Sequence, residues 1–220
     1  MNQWSIGRPL SRALVAVTVA GVLAGATVGC APLVVGGMAT GVLVASDRRT
    51  SGIQLEDESI ELRAASRLRD ALGDRGHISI NSYNRQVLLT GEVPTEADKS
   101  RAEQLVSGVE NVRFVVNELA AMPSSTLSQR SNDVLIAGRV KAAIVDARDL
   151  TVHAFDVVVE RGVVYLLGRV TAREATRVTE VVRAVTGVQR VVRVLEVISE
   201  EELARSQPKP APAPAKADGS

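Results

Sequence analysis

Aromatic residues, cysteine and an excess of charge of either sign are all scarce in this sequence. Aromatic side chains make up 2% of the 220 residues, so any core must be built from valine, leucine, isoleucine and alanine. Cysteine occurs once, at Cys30, which excludes an internal disulfide bond and a cysteine-based zinc site. The formal net charge of +1 excludes a generally basic protein that binds nucleic acid.

The motifs of common enzyme classes are also missing. The sequence contains no nucleophile elbow, P-loop or dinucleotide-binding glycine motif. Acidic clusters at Glu56–Glu58 and Glu200–Glu202 are typical of solvated faces, since nothing positions them as an acid–base pair. His77 and His153 lack neighbouring ligands, which favours loop residues over metal ligands. We therefore expect no catalysis, no cofactor, no metal site and no small-molecule substrate.

Charge is absent from residues 13 to 46, and two arginines, Arg8 and Arg12, precede this run. A positive segment followed by alanine, valine and leucine is typical of an export signal. The run passes through small residues to Gly29, directly before Cys30. Two other interpretations remain open: Cys30 is inert in a signal that is cut elsewhere, or the run is an uncleaved membrane helix, which needs roughly 20 residues.

A cysteine that follows small residues at the end of such a run resembles the lipobox of bacterial lipoproteins, although Thr27 replaces the usual larger aliphatic residue. In that family the thiol is acylated with diacylglycerol and the cysteine becomes the new N-terminus. The resemblance implies a signal peptide at residues 1–29, lipidation at Cys30 and a glycine- and alanine-rich tether over residues 30–53. Ala31, where inner-membrane lipoproteins usually have Asp, implies the outer membrane, facing the periplasm.

An internal repeat fills the centre of the chain, and it predicts two domains at residues 54–122 and 131–199. Three landmarks recur in order: a V-x-L-x-G strand end, a capped helix and a Gly-Val entry to a strand. They fall at Gly91, Thr95 and Gly108, and again at Gly168, Thr171 and Gly187. Residues 203–220 alternate proline and alanine, which predicts a disordered tail that is either a spacer or a partner-binding arm.

Each copy is predicted as helix, strand, strand, helix, strand from its hydrophobic periodicity. The first helix has one apolar face and ends at Gly73, and Asn84–Arg85 is predicted to turn the chain between two strands. The face comprises Ile60, Ala64, Ala65, Leu68 and Leu72. Thr171 and Glu174 form a capping box for the second helix of the second copy.

These repeated features resemble BON domains, and their order after an anchor and a tether is similar to that in dual-BON outer-membrane lipoproteins. The resemblance implies an α+β fold, in which each domain is a three-stranded sheet with two helices packed on it. It also implies binding instead of catalysis: support of envelope integrity, and binding of anionic phospholipid through the first helix of the second domain.

That helix is predicted at residues 133–147, capped near Ser131 or Asn132. A helical wheel assigns to the core Ile136, Val140, Ala143, Ile144 and Ala147. Leu135 lies about 125° from this face and should be exposed. The predicted lipid-binding residues are Leu135, Gly138, Arg139, Lys141 and Ala142. The alternative is that Leu135 packs against the first copy and Arg139 is merely solvated.

The net charges of the two copies differ in the sense expected if the second copy binds anionic phospholipid. Residues 54–121 hold 8 Lys+Arg and 12 Asp+Glu, a net of −4, whereas residues 131–198 hold 10 and 8, a net of +2. The second copy is therefore the one expected near an anionic membrane. A second hypothesis is a protein-interaction adaptor that regulates an envelope protease or outer-membrane assembly machinery, with lipid contact incidental.

Overall fold

The computed structural model describes residues 47–206, which fold into two copies of one α+β unit. The predicted order of helix, strand, strand, helix and strand is confirmed in both. Copy 1 comprises α1 (Ser51–Leu72), β1 (His77–Tyr83), β2 (Gln86–Val93), α2 (Glu96–Ser107), β3 (Phe114–Asn117) and β4 (Ala120–Ala121). Copy 2 comprises α3 (Leu127–Asp146), a 3₁₀ turn (Val152–Ala154), β5 (Phe155–Glu160), β6 (Val163–Thr171), α4 (Ala172–Arg183) and β7 (Arg190–Ile198), followed by α5 (Glu200–Ser206).

Both sheets have a central strand with one antiparallel and one parallel neighbour. In copy 1, β2 pairs with β1 through a tight hairpin and with β3 in parallel. In copy 2, β6 pairs with β5 and β7 in the same way. The sheet of copy 1 has four strands instead of the predicted three. Its last strand is interrupted because the Leu119 N–H donates to the Asn117 side chain, and β4 forms a short separate strand.

The hairpin turns have left-handed backbone at both central residues, as type I′ turns require. Asn84 and Arg85 have φ of 51° and 63°, which confirms the predicted turn, and Arg161 and Gly162 have φ of 51° and 73°. A buried aspartate of the first helix holds each turn. Asp133 accepts the N–H groups of Arg161 and Gly162, both at 2.8 Å.

Two cores form where the helices cover their sheets. The buried side of α1 includes Ile60 and Leu68, and that of α3 includes Ile136, Val140 and Ile144, as predicted. A third core lies between the sheets and contains Tyr83, Leu88, Tyr165, Leu167 and Val194. The uncovered faces of the two sheets therefore pack against each other, and the copies form one compact unit within residues 43–220.

Three predicted boundaries are wrong by a few residues. The helix expected at residues 133–147 begins at Leu127, because Thr126 and Gln129 form a complete capping box; Ser131 lies inside the helix. The first helix begins at Ser51, capped by Thr50, and not after residue 53. Residues 203–206, expected to belong to the disordered tail, lie in α5, which buries Leu203. The rest of the expected tail, residues 207–220, lies outside the described residues.

The last residues of the predicted tether are packed, which corrects the expectation for residues 30–53. Arg48 binds both carboxylate oxygens of Glu174 in copy 2, at 2.8 and 2.7 Å. Arg49 binds Asp57 in copy 1 at 2.8 Å. Burial raises the pKa of Glu174, but the hydrogen bonds from Arg48 and the Thr171 N–H, together with the positive charge of Arg48, hold that pKa below its ordinary value. Residues 47–50, which we call the tether root, therefore connect both copies.

Candidate functional site

The surface of α3 that faces away from its core carries exposed apolar side chains from end to end, with the exposed Ser131 among them. Its side chains are exposed by 81% at Leu127, 71% at Val134, 59% at Leu135 and 57% at Val145. These positions, with Gly138 and Ala142, fall within about 100° of one another on a helical wheel, on the side opposite the core. They extend over about 27 Å of helix at 1.5 Å per residue. We call this surface the outer face of α3.

The structure brings together most of the predicted lipid-binding residues. Leu135, Gly138 and Ala142 lie on the outer face and are exposed, so Leu135 does not pack against copy 1. Arg139 lies at one margin, where its guanidinium donates to the carbonyl of Thr186 at 3.4 Å. Lys141 is exposed at the opposite margin. Their role in lipid binding stays a prediction.

Sequence analysis missed three apolar members of the outer face: Leu127, Val134 and Val145. The helix was predicted to begin only at residue 133, so Leu127, which lies in the first turn after the Thr126 cap, was not assigned to it. A usable signal was present, because residues 127, 134 and 138 and residues 138, 142 and 145 follow the spacing of one helical face. An exposed apolar stripe of this length on a folded unit is typical of a surface that contacts a membrane or a protein.

Gly138 lies in the middle of the outer face, and a Cβ built there would meet nothing within 4 Å. Glycine inside a helix lowers stability by roughly 0.5–1 kcal/mol relative to alanine. Packing among residues 47–206 therefore gives no reason for a glycine at this position.

We expect Gly138→Ala to raise the free energy of unfolding by about 0.5–1 kcal/mol, as measured by urea denaturation. Gly187→Ala provides the contrast, because Gly187 has a φ of +98° and an added Cβ would lie 3.0 Å from Ile136. That variant should be less stable than the parent. A destabilised Gly138→Ala would contradict the open surroundings of this glycine.

The histidines have no metal partners in the part of the chain that the structure describes. His77 is the first residue of β1 and His153 lies in the 3₁₀ turn before β5. Within residues 47–206, no cluster of three His, Cys, Asp or Glu side chains could hold a metal ion. None of the helices in the same range is long and apolar enough to cross a membrane. The predicted signal peptide and Cys30 lie outside the described residues.

The tether root lies close to α3. Asp47 and Arg49 line the same cavity as Lys141, and the cavity has a volume of about 420 Å³. Asp47, the first residue that the structure describes, therefore lies beside the margin of the outer face. The fold thus defines two fused α+β copies with an apolar helix surface near the tether root.

Comparison with known proteins agrees with this class. A model of the BON domain matches residues 57–123 and 132–199. The chain is 38% identical over 185 residues to the outer membrane lipoprotein DolP of Haemophilus influenzae, covering 80% of this chain and 94% of that protein. It is 32% identical over 154 residues to a 21 kDa hemolysin of Actinobacillus pleuropneumoniae, covering 69% and 79% of the two chains.

A solved structure also aligns, the C-terminal domain of CdsD, a structural protein of the type III secretion system of Chlamydia trachomatis. It covers 66% of this chain and 98% of that one at 13% identity, and its TM-score of 0.27 is too low to support an argument. This chain belongs to the BON-domain family. Within it, the chain is a lipoprotein of the DolP type, located at the outer membrane.

Proposed function

We propose that this protein is held at the outer membrane by an acylated Cys30 and binds anionic phospholipid through the outer face of α3, thereby supporting envelope integrity. The observation that carries the proposal is the exposure of Leu127, Val134, Leu135 and Val145 on one side of a single helix. A helix with such a surface lies in the membrane interface with its apolar side chains among the acyl chains.

The energy available from this surface is sufficient for reversible binding. Full burial of a valine or leucine side chain contributes about 1.5–3 kcal/mol. Four side chains that start more than half exposed therefore contribute on the order of 5 kcal/mol when the helix settles into the interface. A lipid anchor adds to this by keeping the unit at the membrane, so that α3 needs only modest affinity.

Basic residues at the margins of α3 supply the preference for anionic lipid. Arg139 and Lys141 lie on opposite margins, and their long side chains reach the headgroup level while the apolar residues insert. Each cation near an anionic surface contributes about 1 kcal/mol at low salt. The net charge of +2 over residues 131–198 has the same sign.

A protein partner is the second candidate function, and a separate surface favours it. Leu55 and Leu62 on α1 are 65% and 68% exposed, next to Glu56 and Glu58. Copy 1 carries a net charge of −4 over residues 54–121, which does not suit an anionic membrane. An adaptor would therefore use α1 of copy 1 to bind an envelope protein, while copy 2 faces the lipid.

Vesicle flotation tests the lipid proposal with residues 43–220, which keep the tether root but lack Cys30. The fragment should float with phosphatidylglycerol-rich vesicles and not with phosphatidylcholine vesicles, and the binding should weaken as salt increases. Leu135→Glu should weaken it about 10- to 100-fold, because one inserted side chain is lost and a like charge is added.

Leu62→Glu on α1 is the matched control, since it places the same charge on an equally exposed leucine of the other copy. Both variants should unfold within about 0.5 kcal/mol of the parent, as surface changes do. If the two variants float equally well, α3 is not the lipid-binding surface. If the parent fragment fails to bind anionic vesicles, the protein-partner function becomes the better interpretation.

A further inference from the structure

The cavity beside the tether root is formed by four segments that only the packing of the two copies brings together. Asp47 and Arg49 come from the tether root, and Tyr83 comes from the end of β1 in copy 1. Lys141 on α3 and Asp156 on β5 come from copy 2. We call this cavity of about 420 Å³ the tether-root pocket.

One wall of the tether-root pocket is formed by paired side chains. The Arg49 guanidinium stacks over the Tyr83 ring at 4.1 Å from its centroid. It is bound by two carboxylates, Asp47 at 2.6 Å and Asp57 at 2.8 Å, so one positive and two negative groups give this wall a net charge of −1. Burial raises the pKa of Tyr83 to about 12, which keeps its hydroxyl group protonated. This wall gives the pocket its shape, and its net negative charge disfavours a purely anionic ligand.

The opposite side carries two charges that are not used within the fold. Lys141 and Asp156 line the same pocket, yet neither takes part in the ion pairs formed among residues 47–206. Asp156 uses one oxygen to accept the Val157 N–H at 2.9 Å, which leaves the other oxygen available. Buried Phe155 and the partly buried Val152 add apolar surface.

We infer that the tether-root pocket binds a phosphoethanolamine headgroup, with the phosphate on Lys141 and the ammonium on Asp156. A ligand with both charges satisfies both side chains, whereas a purely anionic ligand leaves its charge facing Asp156. The ammonium has N–H donors for the free carboxylate oxygen, and a quaternary ammonium has none. The glycerol end of the lipid would lie against Phe155 and Val152.

This inference rests on the proposed function in one respect, because α3 is what brings Lys141 and the pocket to the lipid surface. The two binding steps share Lys141, but Leu135 acts only in insertion and Asp156 acts only in the pocket. The outer face of α3 supplies insertion and the general preference for anionic membranes, while the pocket selects one headgroup. Loss of either step can therefore be measured without loss of the other.

The test uses the full chain in nanodiscs of phosphatidylcholine, titrated with soluble headgroups and followed by saturation-transfer NMR. Glycerophosphoethanolamine should bind at least about fivefold more tightly than glycerophosphocholine, glycerophosphoglycerol or inorganic phosphate. Lys141→Ala and Asp156→Asn should each remove this preference. If the membrane is the source of the ligand, phosphatidylethanolamine placed in the nanodisc should compete with the soluble headgroup. If it does not compete, the source is a free phosphoethanolamine compound.

Leu135→Glu is the control that separates this site from the outer face of α3. It should keep the headgroup preference while losing flotation with phosphatidylglycerol vesicles, and Asp156→Asn should do the reverse. Equal binding of glycerophosphoethanolamine and inorganic phosphate would overturn the inference, because a simple anion site would then suffice. A preference that survives Asp156→Asn in a normally folded variant would overturn it as well.

Discussion

Asp133→Ala should lower the free energy of unfolding by about 2–5 kcal/mol. Asp133 is 6% exposed, and its two oxygens accept the N–H groups of Arg161 and Gly162, both at 2.8 Å. Leaving a buried donor without a partner costs about 1–3 kcal/mol, and here two donors are left. Both belong to a turn with left-handed backbone, which stays in place only while surrounding contacts hold it.

Relief of repulsion between carboxylates partly offsets the loss of stability in Asp133→Ala. Burial, followed by the nearby carboxylates of Glu92 and Asp133, raises the pKa of Glu160 to about 6. Removing Asp133 relieves this repulsion. The loss should also extend to the contact between copies, because Arg161 binds the buried Glu92 of copy 1 at 3.2 Å.

Urea denaturation of the 43–220 fragment measures this effect, and Asp146→Ala provides the control. Asp146 lies on the same helix and is exposed, so its replacement should change stability by less than about 0.5 kcal/mol. Asp133→Asn should be intermediate, since the amide keeps one acceptor oxygen. Equal stability of the two alanine variants would show that the turn does not depend on Asp133.

Cys30→Ser should remove the protein from the outer-membrane fraction almost completely. Serine lacks the thiol that is acylated in lipoproteins, so the acyl chains are never attached. Each buried CH₂ group of such a chain contributes about 0.8 kcal/mol, and two chains already give stable anchoring. The variant should also keep its predicted signal at residues 1–29 and migrate more slowly on a denaturing gel.

Membrane fractionation and the intact mass of the mature protein distinguish the three interpretations of this segment. Thr27→Leu is the control, because it restores the usual larger aliphatic residue and should leave acylation intact. Unchanged fractionation of Cys30→Ser would favour an uncleaved membrane helix. A mature N-terminus other than Cys30 in the parent protein would favour a signal that is cut elsewhere.

Features that depend on neighbouring residues could be predicted without the structure. The helix faces, the Asn84–Arg85 turn and the Thr171 cap were predicted correctly, because hydrophobic period and capping are local properties. Exposure of Leu135 also followed from its position on the helical wheel. The start of α3 was equally readable, since Thr126 and Gln129 form a capping box, but the predicted boundary was placed at the wrong cap.

The way in which the two copies meet could not be predicted from local sequence patterns. Alternation along a strand shows which residues share a face, but it does not show that Leu88 and Tyr165 face each other between two sheets. The pair between Arg48 and Glu174 joins residues 126 positions apart, and no local pattern signals it. The tether-root pocket exists for the same reason: its walls come from four segments of the chain, and only the packing of the sheets places Lys141 and Asp156 beside Arg49 and Tyr83.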